Sequence, residues 1–315
     1  MPCKTAAITG PPRVFPPPAI PPCRPPWWAR GAHAQTVWGH LLPGRAPAVG
    51  GERHEIELGD GDRLVLFHRA VEGSDTVVYL FHGLGGDSDA DYIRRTTAAL
   101  PGCTIVAMNH RGCGAGRGLA RHAYHSGSTA DLAAAIDWGR AHHPSARHIA
   151  IGFSLSGNTL LLLLSRGEGP DAAIAVNPPI DLAAASDAIS TGFNRIYDIR
   201  FVHGCRCDPR SRGSGIRPWH TLRQVDDLYT APAAGFRDAD HYYTACSAGP
   251  RLAAIDRPTV ILTSADDPFV PSSMFESVPP RIHLHVEPVG GHLGYLDRTG
   301  RWLDGALAAY VAALR

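Results

Sequence analysis

One serine, set between a wholly apolar run and a leucine-rich one, constrains this chain more than anything else in it. Residues 147–158 read Arg-His-Ile-Ala-Ile-Gly-Phe-Ser-Leu-Ser-Gly-Asn. Ile149 to Phe153 have the composition of a strand covered on both faces. Leu160 to Leu164 read as a helix, and small residues at 152, 156 and 157 permit a very tight turn between the two. Ser154 sits on that turn. A hydroxyl so placed is pushed clear of the sheet, which makes it a candidate nucleophile. The spacing departs from G-x-S-x-G only at its last position, where Ser156 stands for glycine.

The flanking sequence supplies a sheet for such a strand. Arg53 to Leu58 and Arg63 to His68 alternate around Gly59-Asp60-Gly61-Asp62, which predicts a hairpin. Short apolar runs at 76–81, 103–108 and 172–176 alternate with helical stretches at 88–100 and 131–141. The rhythm returns at 258–262 and 281–286 and closes with a helix over 302–314. Strands alternating with helices predict an α/β fold with a mostly parallel sheet. Residues 181–250 break the pattern with helical fragments, a Gly204 to Gly215 stretch and several aromatics. An insertion at that point is expected to form a small lid over the site. Residues 1–50, dense in proline to about residue 30, are expected to form an arm on or beside a single domain of residues 51–315, with Trp27, Trp28 and Trp38 pinning it. Length allows a large core, and no repeats or second domain are visible.

A serine hydroxyl needs a base, and the base needs an acid to hold its tautomer. Both follow Ser154 in order, each after a strand. Ser264-Ala265-Asp266-Asp267-Pro268 follows the run at 259–263, and Gly290-Gly291-His292-Leu293-Gly294 follows the run at 282–286. Asp267 is the expected acid, Asp266 a turn-bonding neighbour, and His292 the expected base. His82-Gly83-Leu84-Gly85-Gly86 follows the strand at 76–81. Its Leu84 N–H, with that of Leu155, is the expected pair of donors to a developing oxyanion. No Gly-Lys-Ser/Thr follows the glycines, which argues against a phosphate loop.

These segments resemble the YheT-type α/β-hydrolases, a family that includes the yeast medium-chain ester synthases. The likeness runs through His33 to Gly39, Leu80 to Gly86, Asn109 to Cys113, Ala123 to Gly127, Gly152 to Asn158, Thr221 to Asp227, Ala231 to Phe236, Ala265 to Phe269 and Gly290 to Gly294. The resemblance implies an α/β-hydrolase fold with a helical lid, a triad at Ser154, Asp267 and His292, and action on short- to medium-chain or lipid-like esters. It implies no cofactor. An alcohol acyltransferase would use the same residues, and a non-catalytic binding protein would keep only the fold. Two departures bear on this. Ser156 can crowd the turn or displace the neighbouring N–H, and the Gly204 to Gly215 piece looks shorter than the family's basic lid helix.

Composition narrows the partners. With 30 basic and 29 acidic residues the chain carries no excess charge for nucleic acid. Seven scattered cysteines form no disulfide framework. No secretory signal and no apolar run of membrane-spanning length is visible, so a cytoplasmic protein acting on small-molecule or lipid-like esters is expected. His203, Cys205 and Cys207 lack a second pair at zinc spacing, so no metal is expected. His110, Arg111, His122 and His125 read as the polar scaffold of a long loop, and His142-His143 as a solvated helix end.

Overall fold

The computed structural model describes residues 15–42 and 44–315. Pro11-Pro12 of the proline-rich run and Cys3 lie outside the described residues. Eight strands form one sheet: β1 (Glu52–Glu57), β2 (Arg63–Arg69), β3 (Thr76–Phe81), β4 (Thr104–Asn109), β5 (Arg147–Phe153), β6 (Ala172–Val176), β7 (Thr259–Ser264) and β8 (His283–Glu287). Their order across the sheet is β1-β2-β4-β3-β5-β6-β7-β8. The β1–β2 and β2–β4 pairs are antiparallel, and every later pair is parallel. The carboxyl ends of β3, β5, β6, β7 and β8 therefore lie side by side along one rim.

The central strands read as unbroken apolar runs because both faces are covered. On β3, Val77, Tyr79 and Phe81 face one core layer and Val78 and Leu80 the other. On β5, Ala150 faces the first layer and Ile149, Ile151 and Phe153 the second. Helices α2 (Asp91–Ala99) and α10 (Trp302–Leu314) pack on the second layer. The first layer takes α3 (Thr129–His142) and α4 (Leu155–Leu164). Positions 156–164 of α4 are all buried, so this helix has no polar face and its sequence shows no amphipathic stripe.

Between β6 and β7 the chain forms α5 (Leu182–Ser190), α6 (Arg195–Cys207), the short α7 (Leu222–Val225) and α8 (Ala231–Ala233), and α9 (Ala239–Cys246). The caps are local: Asp181 and Asp238 accept N–H bonds at the starts of α5 and α9, and Thr221 with Gln224 forms a capping box on α7. Gly204 to Cys207, expected to belong to an irregular stretch, is the last turn of α6.

Residues 15–26 run without regular structure along the β8 edge. Cys23 N–H donates to Glu287, and Trp302 Nε1–H donates to the Pro21 carbonyl. None of Trp27, Trp28 and Trp38 is fully buried. They stand 80%, 42% and 42% exposed. Backbone bonds and Trp302 hold residues 15–26, and Trp28 and Trp38 are only part covered. The chain then forms α1 (Ala32–Leu41), which the sequence did not announce because Gly31 offers no side-chain cap and no acid opens the first turn.

Candidate active site

The turn after β5 places Ser154 at φ 52°, ψ −121°. This left-handed conformation costs a non-glycine residue on the order of 1–3 kcal/mol and persists only where its surroundings fix it. Among the described residues, the other non-glycine positive-φ positions are Asn177, Leu293 and Tyr295, all in loops at the same rim. The tightness is steric. A Cβ on Gly152 would lie 2.6 Å from the Ser156 carbonyl oxygen.

Three side chains meet at this rim. His292 Nε2 lies 2.8 Å from Ser154 Oγ, and His292 Nδ1 lies 2.8 Å from Asp267 Oδ2. An ionised Asp267 can only accept, so Nδ1–H donates to it and Nε2 is left to accept from the serine hydroxyl. Asp267 also accepts from the Phe269 and Val270 N–H groups at Oδ1, and from Asn177 Nδ2 at Oδ2. Four donors fix the carboxylate plane. Asp266 turns away and accepts from the Gly290 and Gly291 N–H groups, bracing the loop that carries His292.

Two residues in this assembly were not read from the sequence. Asn177 follows β6, bonds Asp267, and accepts from the buried Tyr295 hydroxyl. Thr36, on α1, accepts the His292 backbone N–H at 2.9 Å. Helix α1 sits directly on the histidine loop: a Cβ on Gly294 would lie 2.2 Å from the Gln35 carbonyl oxygen. That contact explains the motif at 33–39, whose Gln35 side chain also bonds the backbone of Leu296. No local pattern signals either contact, because both are made across long sequence separations.

The loop after β3 approaches the serine from the other side. A Cβ on Gly83 would lie 3.0 Å from Ser154 Cβ. Most of the loop's N–H groups have protein acceptors: Gly83 donates to the Tyr92 hydroxyl, Gly85 to the Tyr124 hydroxyl and Gly86 to the Gly83 carbonyl. The Leu84 N–H and the Leu155 N–H at the start of α4 have none among the described residues. Two unpaired donors thus flank the Ser154 turn.

Ser156 does not crowd the turn. Its buried hydroxyl donates to the His82 carbonyl at 2.5 Å, with His110 Nε2 at 2.7 Å. His82 in turn has Nδ1 2.8 Å from the Gly83 carbonyl and accepts the His110 backbone N–H at Nε2. Burial lowers the His82 pKa to about 4, and that of His110 well below the ordinary value. Both imidazoles are neutral at physiological pH.

The other polar candidates serve the scaffold. Arg111 is bound to Asp60, Asp62 and Asp131, and His122 to Asp62. Asp60, Asp62 and His122 are spaced as metal ligands are, but the Arg111 guanidinium already supplies their positive charge. Burial pushes the Cys205 thiol up to about 12, and Cys207 Sγ lies 3.5 Å from His203 Nε2 on the same helix. His142 ends α3, its Nδ1 2.7 Å from the Trp138 carbonyl, and His143 caps the helix.

Sheet order and rim loops define an α/β-hydrolase, and the α/β hydrolase fold model matches residues 76–198. The chain belongs to the YheT family of esterase-type hydrolases: it is 32% identical over 267 residues to YheT of Escherichia coli (strain K12), which bears an esterase name, covering 78% of each chain. It is also 27% identical over 278 residues to the medium-chain fatty acid ethyl ester synthase/esterase 2 of Saccharomyces cerevisiae, covering 74% of this chain but only 61% of that protein. Among solved structures, the 2,6-dihydroxy-pseudo-oxynicotine hydrolase superposes with a TM-score of 0.60 at 20% identity, covering 90% of this chain and 71% of that one. A Pyrococcus furiosus esterase does so with a TM-score of 0.58 at 17% identity, covering 84% and 90%. At such identities these two likenesses speak to the fold alone.

Proposed function

We propose that the protein is a serine carboxylic-ester hydrolase that works through an acyl-enzyme at Ser154. The observation that carries this reading is the unbroken chain of hydrogen bonds from Ser154 through His292 to Asp267. Ser154 Oγ attacks the ester carbonyl while His292 Nε2 takes its proton. The Leu84 and Leu155 N–H groups receive the negative charge that develops on the carbonyl oxygen, where one lost donor costs ~3–4 kcal/mol of barrier. The tetrahedral intermediate collapses, the C–O bond to the alcohol breaks, and His292 returns the proton to the departing oxygen. Water then attacks the acyl-enzyme with His292 again as base. The acid leaves and Ser154 regains its proton. Asp267 holds the imidazole and stabilises its protonated form.

The helices between β6 and β7 act in this reading as a small lid, and the acyl chain is short to medium in length. The apolar side chains Leu155, Tyr197 and Phe269 near the triad support such a substrate. No cofactor takes part. We place the protein in the cytoplasm, a reading supported by the free cysteines 23, 103, 113, 205, 207 and 246. No helix among the described residues is long and apolar enough to cross a membrane.

A fluorophosphonate probe tests the proposal. It should add to the wild type and fail to add to Ser154→Ala, and a wild type that resists labelling would favour a non-catalytic binding role. An alcohol in place of water would turn the same machinery into an acyltransferase, a reading favoured by the yeast relative, which is named a synthase as well as an esterase. The ratio of ester to acid formed from one acyl donor in added ethanol separates the two.

A further inference from the structure

Eight of the eleven large apolar side chains that stand exposed among the described residues lie on two neighbouring elements beside the triad. Residues 27–42 contribute Trp27, Trp28, Trp38, Leu41 and Leu42, and the start of the β6–β7 insertion contributes Phe193, Ile196 and Ile199. Trp27 is 80% exposed, Phe193 61% and Ile196 57%. The spacing 193, 196, 199 puts three of these on one face of α6 and the turn that leads into it.

These two groups are one surface. The His33 and Phe193 rings lie 4.6 Å apart, and His33 Nδ1 lies 3.1 Å from the Tyr197 hydroxyl. One turn further on, Arg200 lies 3.2 Å from His40 Nε2. The surface also borders the catalytic rim. The Tyr197 ring is 4.7 Å from Phe269, and Phe269 is 4.5 Å from His292.

Charge selects the occupant. Residues 27–45 contain Arg30 and Arg45 and no acid. Residues 192–207 contain Arg195, Arg200 and Arg206, and their one acid, Asp198, is buried and bound to Arg195. Asp91, the carboxylate beside the end of α1, is bound to Arg95. The face is therefore apolar, rich in tryptophan and cationic. Tryptophan and arginine around aliphatic side chains match the headgroup boundary of an anionic lipid layer. A second copy fits poorly, since a two-fold contact would set the same arginines against one another.

We propose that α1, the residues leading into it and the exposed face of α6 dock on an anionic lipid surface, holding the Ser154 site against lipid-borne esters. This deepens the esterase reading by naming where its substrate resides, while the docking itself needs no catalysis. The full-length protein is floated with phosphatidylcholine vesicles, with and without phosphatidylglycerol. We expect co-flotation that strengthens with phosphatidylglycerol and weakens with salt. Ser154→Ala should float like the wild type, so a failure of the catalytic reading leaves this result untouched. Trp27→Ser with Ile196→Ser should weaken vesicle binding at least ~10-fold, given the apolar area each side chain would bury. The same variant should keep its melting temperature and its turnover of a water-soluble short-chain ester. Absence of vesicle binding in the wild type, or binding indifferent to that double change, would overturn the proposal. So would a concentration-dependent dimer abolished by the double change, which would assign the face to a second copy.

Discussion

The Ser156 hydroxyl donates to the His82 carbonyl and so links the turn that carries Ser154 to the loop that carries the Leu84 N–H. Each of the two N–H groups proposed to receive the oxyanion, those of Leu84 and Leu155, belongs to one side of this link. Ser156→Ala should leave KM for a short ester nearly unchanged and lower kcat about 10-fold, as expected when a buried hydrogen bond worth ~1–2 kcal/mol holds donors that matter most in the transition state. Steady-state kinetics checks this, and Ser156→Thr, which restores a hydroxyl, should recover part of the loss.

Asn177 gives a second positioning test. Its Nδ2 donates to Asp267 Oδ2 at 2.6 Å and its backbone lies at φ 46°. Asn177→Asp would set a second carboxylate against Asp267 and remove a donor. We expect a kcat loss of about 100-fold or more, larger than that of Asn177→Ser, with KM little changed. An equal loss in both variants would mean that Asn177 serves only the turn.

Stability should fall on acidification through a defined window. The His82 pKa is lowered to about 4, chiefly by burial. Its folded-state pKa lies below the unfolded value near 6.5, so the unfolded chain binds the extra proton first. This contribution is whole above pH ~6.5 and lost as pH falls toward ~4, amounting to about 3 kcal/mol. Denaturant midpoints across that range should show it, with a shallower slope in His82→Gln. Buried Asp226 works in the opposite sense: burial raises its pKa to about 6, so its contribution is full below pH ~4 and lost as pH rises through ~6. Asp226→Asn should therefore steepen the net acid loss of stability.

Arg111 sits among Asp62 and Asp131, which are 1% and 2% exposed. Arg111→Met would leave two buried carboxylates without their cation. Breaking such a cluster costs about 3–5 kcal/mol, which thermal unfolding would register as a clear fall in Tm.

Much of this architecture is legible in the residues. Strands such as Thr76–Phe81 and Ala172–Val176 are apolar throughout because two layers cover them, and strand ends announce the rim loops. Ser154 follows its strand directly, and Asp267 and His292 lie in the loops that open at the ends of β7 and β8. What escaped the sequence is tertiary. Helix α1 begins without a cap, and its Thr36 and Gln35 bond residues more than 250 positions away. Ser156 looked like a threat to the turn because its acceptor, His82, is 74 residues distant. The insertion's helices are short, and Gly204 inside α6 masks that helix's length. Their caps at Asp181, Thr221 and Asp238 were the available signal.

Trapping the acyl-enzyme shows whether Ser154 is the residue that carries the acyl group. A p-nitrophenyl ester is mixed with the protein, the reaction is acid-quenched within the first turnovers, and the adduct is located by peptide mass. One acyl group is expected, on Ser154, with no adduct in Ser154→Ala and a much slower rise in His292→Ala. Sustained turnover by Ser154→Ala, or an acyl group on any other residue, would contradict it.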